Sequence, residues 1–186
     1  MSVRLLRASD RVATPWRNGG GITREIAAWP AGATLEDFDW RVSMAEVREV
    51  GPFSRFPGVD RVLTIVEGTL VLSIGGRPAV TLTAETLPFH FPGDAACDGE
   101  PIGGAVLDLN VMVRRVRFSA DVWRVSNASL VVAGATGLLV ALSPGHVVLA
   151  AGEWRLDAYD ALLLHDEGGT VLGVQGTFAL ISFSRR

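Results

Sequence analysis

The stretch GPFSRFPGVDRVLTIVEGTLVLSIGG, Gly51 to Gly76, decides how the fold of this chain is read. Val62, Leu63, Ile65 and Val66 come before Glu67-Gly68-Thr69; Leu70, Val71, Leu72 and Ile74 follow it, and Gly75-Gly76 closes the run. β-Branched and aliphatic residues in short runs suit a pleated, half-buried surface. Two such runs split by a glycine predict a β-hairpin. Arg61 stands just ahead of the first run. Side chains alternate along a strand, so Arg61, Leu63 and Ile65 are predicted to share one face.

The pattern continues outward on both sides. Residues 1–14 alternate loosely and predict an edge strand. PWRNGGGITREIAAWP, Pro15 to Pro30, carries three consecutive glycines, which let a backbone approach a ligand or another strand closely. No Gly-Lys-Ser/Thr follows and no long helix opens there, so this is not a phosphate loop. Beyond it, Ile22, Arg24, Ile26 and Ala28 are predicted on one face, with Thr23, Glu25 and Ala27 on the other. In FDWRVSMAEV, Trp40, Val42 and Met44 alternate against Arg41, Ser43 and Ala45, a face that is either solvent-exposed or part of a polar interior. In GAVLDLNVMVRRVRF, Val106, Asp108, Asn110 and Met112 oppose an aliphatic face of Leu107, Leu109, Val111 and Val113. A carboxylate and a carboxamide on one face suit polar recognition. From Val125 onward about six short strands are expected, with turns at Gly134, Pro144-Gly145, Gly152, Gly168-Gly169 and Gly176. Regular turn spacing without helical periodicity predicts an all-β chain.

Composition narrows the function classes. Nearly half of the 186 residues are apolar and 20% are charged, as in an ordered globular protein with a real core. A net charge of -3 lacks the clustered basic excess that a nucleic-acid track requires. All 17 basic residues besides histidine are arginines. The lone cysteine, Cys97, forms no internal disulfide and favours a reducing compartment. The N-terminus has no apolar segment of signal-peptide length, and the apolar runs at 130–142 and 147–151 are too short and interrupted to span a bilayer. A cytoplasmic location without membrane or nucleic-acid partners is expected.

The segment around Glu67-Gly68 resembles the first conserved motif of the cupin β-barrels. Metal-binding cupins carry a His-x-His pair and then a glutamate, the glutamate seven residues before the turn glycine. Here those positions hold Arg55, Pro57 and Arg61. PAVTLTAETLPFHFPGDAACDGEP resembles a weakened second cupin motif in which Ala95, Ala96 and Cys97 stand where the remaining histidine would be. His90, between Phe89 and Phe91, reads as a packed core histidine rather than a ligand. The resemblance implies that all four metal ligands are gone and that a guanidinium replaces a carboxylate, which suits an anion. No metal and no other cofactor is expected, and the clustered His/Glu set of a metallo-dioxygenase is missing.

Taken in order, PWRNGGGITREI, FDWRVSMAEV, GPFSRFPGVDR, PFHFPGD and DLNVMVRR closely resemble the HutD/Ves family of small bicupin proteins associated with histidine utilisation. The likeness implies an all-β bicupin of two fused cupin-like barrels. Residues 1–118 would form the half carrying a ligand pocket and 119–186 a scaffold and association half, in one fused unit and a homodimer. It further implies regulation of histidine utilisation by binding a small carboxylate such as urocanate or N-formylglutamate. Arg61 would clamp that carboxylate at the barrel mouth; Arg41, Ser43, Asn110 and Asp108 would line the pocket, and Asn18 with the backbone around Gly20 would cover it. The alternative for Arg61 is an internal salt bridge to Asp108 or Glu25. The alternative function is a metal-independent isomerase, lyase or amidohydrolase with Glu25 or Asp108 as general base, and the binding protein is favoured over the enzyme.

Overall fold

The computed structural model describes residues 2–132, 136–165 and 170–186. The turns predicted at Gly134 and Gly168-Gly169 lie outside these residues. Among them a single short 3-10 turn, Ala8–Asp10, interrupts a chain of strands. These are β1 (Ser2–Leu6), β2 (Ala13–Pro15), β3 (Gly21–Trp29), β4 (Trp40–Val47), β5 (Gly51–Pro52), β6 (Val59–Ile74), β7 (Val80–Thr83), β8 (Phe89–Pro92) and β9 (Cys97–Arg114). After them come β10 (Phe118–Val132), β11 (Thr136–Ala141), β12 (Gly145–Leu149), β13 (Gly152–Leu156), β14 (Ala161–His165) and β15 (Thr170–Arg185). The all-β prediction is borne out. Among the described residues no helix is long and apolar enough to cross a membrane.

Two compact units form: Val12–Phe118, and Met1–Arg11 together with Ser119–Arg186. In the first, an antiparallel sheet runs β2-β3-β4-β9-β6-β7, with β5 added to β9 and β8 to β6. Its spine is the pair β6–β9, in register from Val59 opposite Arg114 to Ile74 opposite Cys97. The predicted hairpin at Glu67-Gly68-Thr69 is therefore corrected. Both apolar runs belong to one 16-residue strand, and the glycine sits in a double register shift between Ile65 and Thr69. Gly68 has φ +85°, and a Cβ there would lie 3.0 Å from the Ala105 carbonyl, so the bulge has no room for a side chain. The bulge bends β6 without ending it. The hairpin turn is Gly75-Gly76, after which β7 pairs back with Leu70 opposite Leu82.

A second bulge, between Glu25 and Ala27, breaks the simple alternation predicted for β3. Before it Glu25 opposes Ser43; after it Ala28 opposes Arg41, so Ala28 joins the Glu25 face. The interior of this unit is filled by Leu63, Ile65, Leu70, Leu72 and Ile74 of β6 with Val47, Phe53, Phe91 and Val106. Each such aliphatic side chain contributes roughly 1.5–3 kcal/mol on burial.

In the second unit the order is β1-β14-β11-β15-β12-β13, with β10 on β15. β1 pairs with β14 from Ser2 opposite His165 to Leu6 opposite Ala161. The first eleven residues thus leave the N-terminal half to which the sequence reading assigns them. Asp160 fixes this crossing: its carboxylate accepts the Ala8 and Asp157 N–H groups at 2.8 and 3.1 Å and pairs with Arg7 at 2.6 Å. Burial opposes that charge, but these bonds outweigh it and hold the carboxyl below its usual range. Gly176, read as a turn, lies inside β15.

Candidate functional site

Strand register builds the site. Arg41, Met112 and Arg61 oppose one another across β4, β9 and β6; Ser43, Asn110 and Leu63 form the next row, and Ala45, Asp108 and Ile65 the third. Opposed residues share a face, and so do residues two apart. Arg41, Ser43, Arg61, Asp108 and Asn110 therefore lie on the same interior face as the aliphatic core, and Glu25, opposite Ser43, stands at its solvent-exposed edge.

Arg61 is 5% exposed, beneath a cover of phenylalanines. Its guanidinium lies 4.9, 5.4 and 5.8 Å from the ring centroids of Phe91, Phe53 and Phe56. Two long hydrogen bonds reach it: Nε donates to Asn110 Oδ1 and Nη1 to the Ser54 carbonyl, both at 3.4 Å. No carboxylate among the described residues forms an ion pair with it, so neither of the salt bridges named as the alternative, to Asp108 or Glu25, is made. Burial, with a smaller push from Arg41, pulls its pKa down to about 10 against the opposing pull of Asp108. It remains a cation at neutral pH, held by ring faces that prefer a positive charge.

Asp108 is its counterpart. It is 1% exposed, and its Oδ1 has no hydrogen-bond partner among the described residues. Burial pushes its pKa up to about 7, although Arg61 pulls the other way. Glu25, the other carboxylate in reach, is already engaged: it takes Arg41 Nε at 2.7 Å, and Arg41 Nη1 reaches Ser43 Oγ at 3.4 Å. The half-polar face of β4 is buried rather than solvated, with Ser43 at 1% exposure.

A strap, Phe53–Pro57, closes this face. Phe53 N–H bonds to the Cys97 carbonyl and Phe56 N–H to that of Gly93, both at 2.8 Å. The Asp94 carbonyl accepts Arg55 at 3.0 and 2.8 Å, and its carboxylate accepts Gly58 N–H at 2.9 Å and pairs with Arg115 at 2.6 Å. The Phe53 ring lies over Gly99, where a Cβ would come within 2.6 Å of it. Trp16 packs edge-on against Phe53 at 5.9 Å and donates to Thr23 Oγ1 at 2.8 Å.

Asn18, which with Gly20 is expected to cover the pocket, sits beside Gly51, just ahead of the strap. Asn18 Oδ1 accepts Gly20 N–H at 3.1 Å, and the Gly20 carbonyl accepts the N–H groups of Arg48 and Glu49 at 2.9 and 3.3 Å, which ties the glycine loop to the next turn. Trp16 of that same motif reaches the site through Phe53. The sequence reading missed Phe53, Phe56 and Phe91. Their only linear signal is that FSRFPG and FHFP flank or pair with the segment holding Arg61.

A metal does not fit this interior. The positions that correspond to the ligands of metal cupins hold Arg55, Pro57, the buried Arg61 and the stretch Ala95–Cys97, and a cation would face Arg61 and Arg41. Among the described residues no three His, Cys, Asp or Glu side chains are grouped for a metal. His90 is exposed, not packed in the core as read from its neighbours. His146 faces Glu153 at 3.3 Å in the other unit. Two shallow depressions lie elsewhere. One, of about 460 Å³, runs beside Arg114, whose guanidinium is committed to the carbonyls of Glu36, Phe38 and Pro57. The other, of about 560 Å³, lies along Asn127, His146 and Gln175. Neither contains the uncompensated buried charges, so the interior face under the strap is the better site.

Comparison with known proteins agrees with this architecture. The HutD family model matches residues 8–181. An uncharacterized 21.2 kDa protein in hutC 3'region from Pseudomonas putida is 36% identical over 99% of this chain and 98% of its own length. Protein Ves from Citrobacter koseri is 38% identical over 82% of this chain and 74% of its own. The structure of HutD from Pseudomonas fluorescens SBW25, in a formate condition, superposes with a TM-score of 0.89 at 32% identity and covers both chains fully. The crystal structure of YlbA from E. coli, at a TM-score of 0.71 and 10% identity over 98% of this chain and 90% of that one, shares the cupin-like fold alone.

Proposed function

This chain belongs to the HutD family, and we propose that it binds a small carboxylate on Arg61 beneath the Phe53–Pro57 strap. One observation carries the reading: a buried guanidinium, stacked on three rings, that makes two long hydrogen bonds and no ion pair among the described residues. Isolated buried charge is costly, and the nearby Arg41 adds repulsion that an incoming anion relieves. A charge-assisted bidentate bond to a carboxylate contributes roughly 1.5–3 kcal/mol. The formate condition of the related HutD structure is compatible with a site for the smallest carboxylate. A role in tuning histidine utilisation through urocanate or N-formylglutamate is supported by the family and by the relative named for its place beside hutC. Homodimerisation through sheet edges belongs to the same proposal and is checked by sedimentation.

Titration calorimetry with formate, urocanate and N-formylglutamate, against uncharged amides of the same shape, tests the reading. The acids are expected to bind and the amides to fail. Equal binding of acid and amide overturns it.

A second reading rests on Asp108. A buried carboxyl with its pKa raised to about 7, on the same face as a guanidinium, has the makings of a general base, which favours Asp108 over the ion-paired Glu25. Direct turnover of the same acids, abolished in Asp108→Asn, would establish an isomerase, lyase or amidohydrolase in place of a binding protein.

A further inference from the structure

Arg61 is 5% exposed, and Phe91 and Phe53, two of the rings around it, are 4% and 8% exposed. An acid from solution therefore reaches the guanidinium only when an element around it moves. The neighbouring strands are poorly suited to that. β6 is bonded in register along β9 from Val59 opposite Arg114 to Ile74 opposite Cys97, and along β8 from Asp60 opposite Pro92 to Leu63 opposite Phe89. Lifting either neighbour breaks several backbone bonds together. The strap is different, because residues 53–58 belong to no strand, and Ser54, Arg55 and Pro57 are exposed.

Its two ends are held unequally. The buried Phe53 ring is wedged between Gly99 and Trp16. Trp16 has little freedom of its own: its indole N–H is held by Thr23, and a Cβ on Gly21 would lie 3.0 Å from its ring. Phe56, at the other end, is only half-buried. One backbone bond joins it to Gly93, and the other ties there are exposed: Arg55 to the Asp94 carbonyl, and the Gly58 N–H to the Asp94 carboxylate. Exposed bonds exchange for bonds to water at little cost, whereas withdrawing a buried ring exposes apolar surface.

We propose that the strap is the entry gate of this site: it swings outward at its Phe56 end, with Phe53 as the pivot, and uncovers Arg61. This rests on the reading of Arg61 as the anion anchor and adds the route by which an acid arrives there. The Ser54 carbonyl, which accepts Arg61 Nη1 while the strap is closed, leaves with it and frees that N–H for the carboxylate. The closed strap seats on Gly93, where a Cβ would come within 2.9 and 3.0 Å of the Phe56 and Val59 carbonyls. Gly93→Ala therefore places a wedge under the gate.

The test uses the full chain. Amide exchange followed by NMR without ligand is expected to show the Phe56 N–H at least about tenfold faster than the Phe53 N–H, after correction for intrinsic rates. Stopped-flow tryptophan fluorescence with formate, urocanate and N-formylglutamate follows entry itself. In Gly93→Ala and in Arg55→Ala, association and dissociation of the acids that bind are each expected to speed up at least about threefold. In Arg55→Ala the Kd is expected to stay within about twofold, because the tie is lost from the free and the bound protein alike. If Gly93→Ala fails to fold, Arg55→Ala decides. Binding with rates unchanged in the variants overturns the gate and leaves the Arg61 reading standing. So does a Phe53 N–H that exchanges as fast as that of Phe56. Failure of all three acids to bind overturns the Arg61 reading, and the gate with it.

Discussion

Arg61 and Asp108 lie on the same face of the β6–β9 pair, each almost fully buried, and form no bond to each other. The cation is sheltered by three aromatic rings, and the carboxyl by aliphatic neighbours that cannot hydrogen-bond to it. Each feels the other's charge, since Asp108 supports the positive form of Arg61 and Arg61 the negative form of Asp108. The fold thus keeps apart two groups whose charges could compensate each other, at a cost in stability that a bound ligand can reduce.

Arg61→Met is expected to leave the ligand-free protein as stable as the parent or more so, because it replaces a buried, unpaired cation with an apolar chain of similar length. The same change is expected to abolish the thermal response to formate, and Arg61→Ala to weaken small acids about 10- to 100-fold, as loss of a bond worth 1.5–3 kcal/mol implies. Arg61→Lys is expected to recover only part, since it lacks the fork. A melting temperature that drops by many degrees in Arg61→Met would make Arg61 a structural residue.

Stability is expected to depend on pH through Asp108, with a defined sign. Below about pH 4 the carboxyl is protonated in both folded and unfolded chains. From there to about pH 7 the folded protein keeps a proton that the unfolded chain has released. The unfolded state binds fewer protons in this window, so the contribution of Asp108 to stability falls as pH rises and levels off above about 7. The shift corresponds to a few kcal/mol in order of magnitude. Urea unfolding of the wild type and of Asp108→Asn from pH 4.5 to 8 isolates the effect in their difference, because other titrating groups cancel. A difference that stays flat across that range contradicts it.

Gly99→Ala is expected to destabilise by about 1–3 kcal/mol, as overpacking does. Its Cβ would meet the Phe53 ring at 2.6 Å and push it from its place beside Arg61. Ligand affinity is expected to fall as well, and Phe53→Leu in the same chain to restore stability without restoring affinity. Calorimetry and melting curves on the single and double variants decide it.

Asp94→Ala frees the Gly58 N–H, directly after the strap, and the Arg115 guanidinium, while the Arg55 bonds to the residue 94 carbonyl remain. Exposed ion pairs contribute little to global stability, so the effect is expected locally, as faster amide exchange across Phe53–Gly58 and faster ligand association. The carboxyl is held below its usual range by Arg115 and by the Gly58 N–H. The wild-type latch is therefore present at neutral pH and lost only as pH falls through that lowered value. Unchanged exchange in Asp94→Ala would mean that the backbone bonds of Phe53 and Phe56 hold the strap alone.

The purified protein is expected to hold well under one equivalent of iron, zinc, manganese or nickel after dialysis. Near-stoichiometric metal by elemental analysis would show that the ligands come from elsewhere in the chain, with His90, His146 and His165 the first to be replaced.

Local chemistry determined much of this in advance. The side-chain period of a strand is two whatever it pairs with, so the alternation in β4, β6 and β9 was enough to put Arg41 with Ser43, Arg61 with Leu63, and Asp108 with Asn110 on common faces. The ordered motifs from Pro15 to Arg115 carried the family. Alternation could not say which partner a strand would meet, and the tertiary structure decided that. Glu67-Gly68-Thr69 has the composition of a turn, yet it is a bulge, because the 18-residue β9 pairs with both sides of it and backbone hydrogen bonds continue across. Residues 2–6 could edge any sheet, and Asp160 fixes them to β14 from more than 150 positions away. The convergence of Phe53, Phe56 and Phe91 on one guanidinium, and the separation of that guanidinium from Asp108, depend on register between strands distant in sequence. Those distances are set by packing of the whole sheet, and no stretch of the chain contains them.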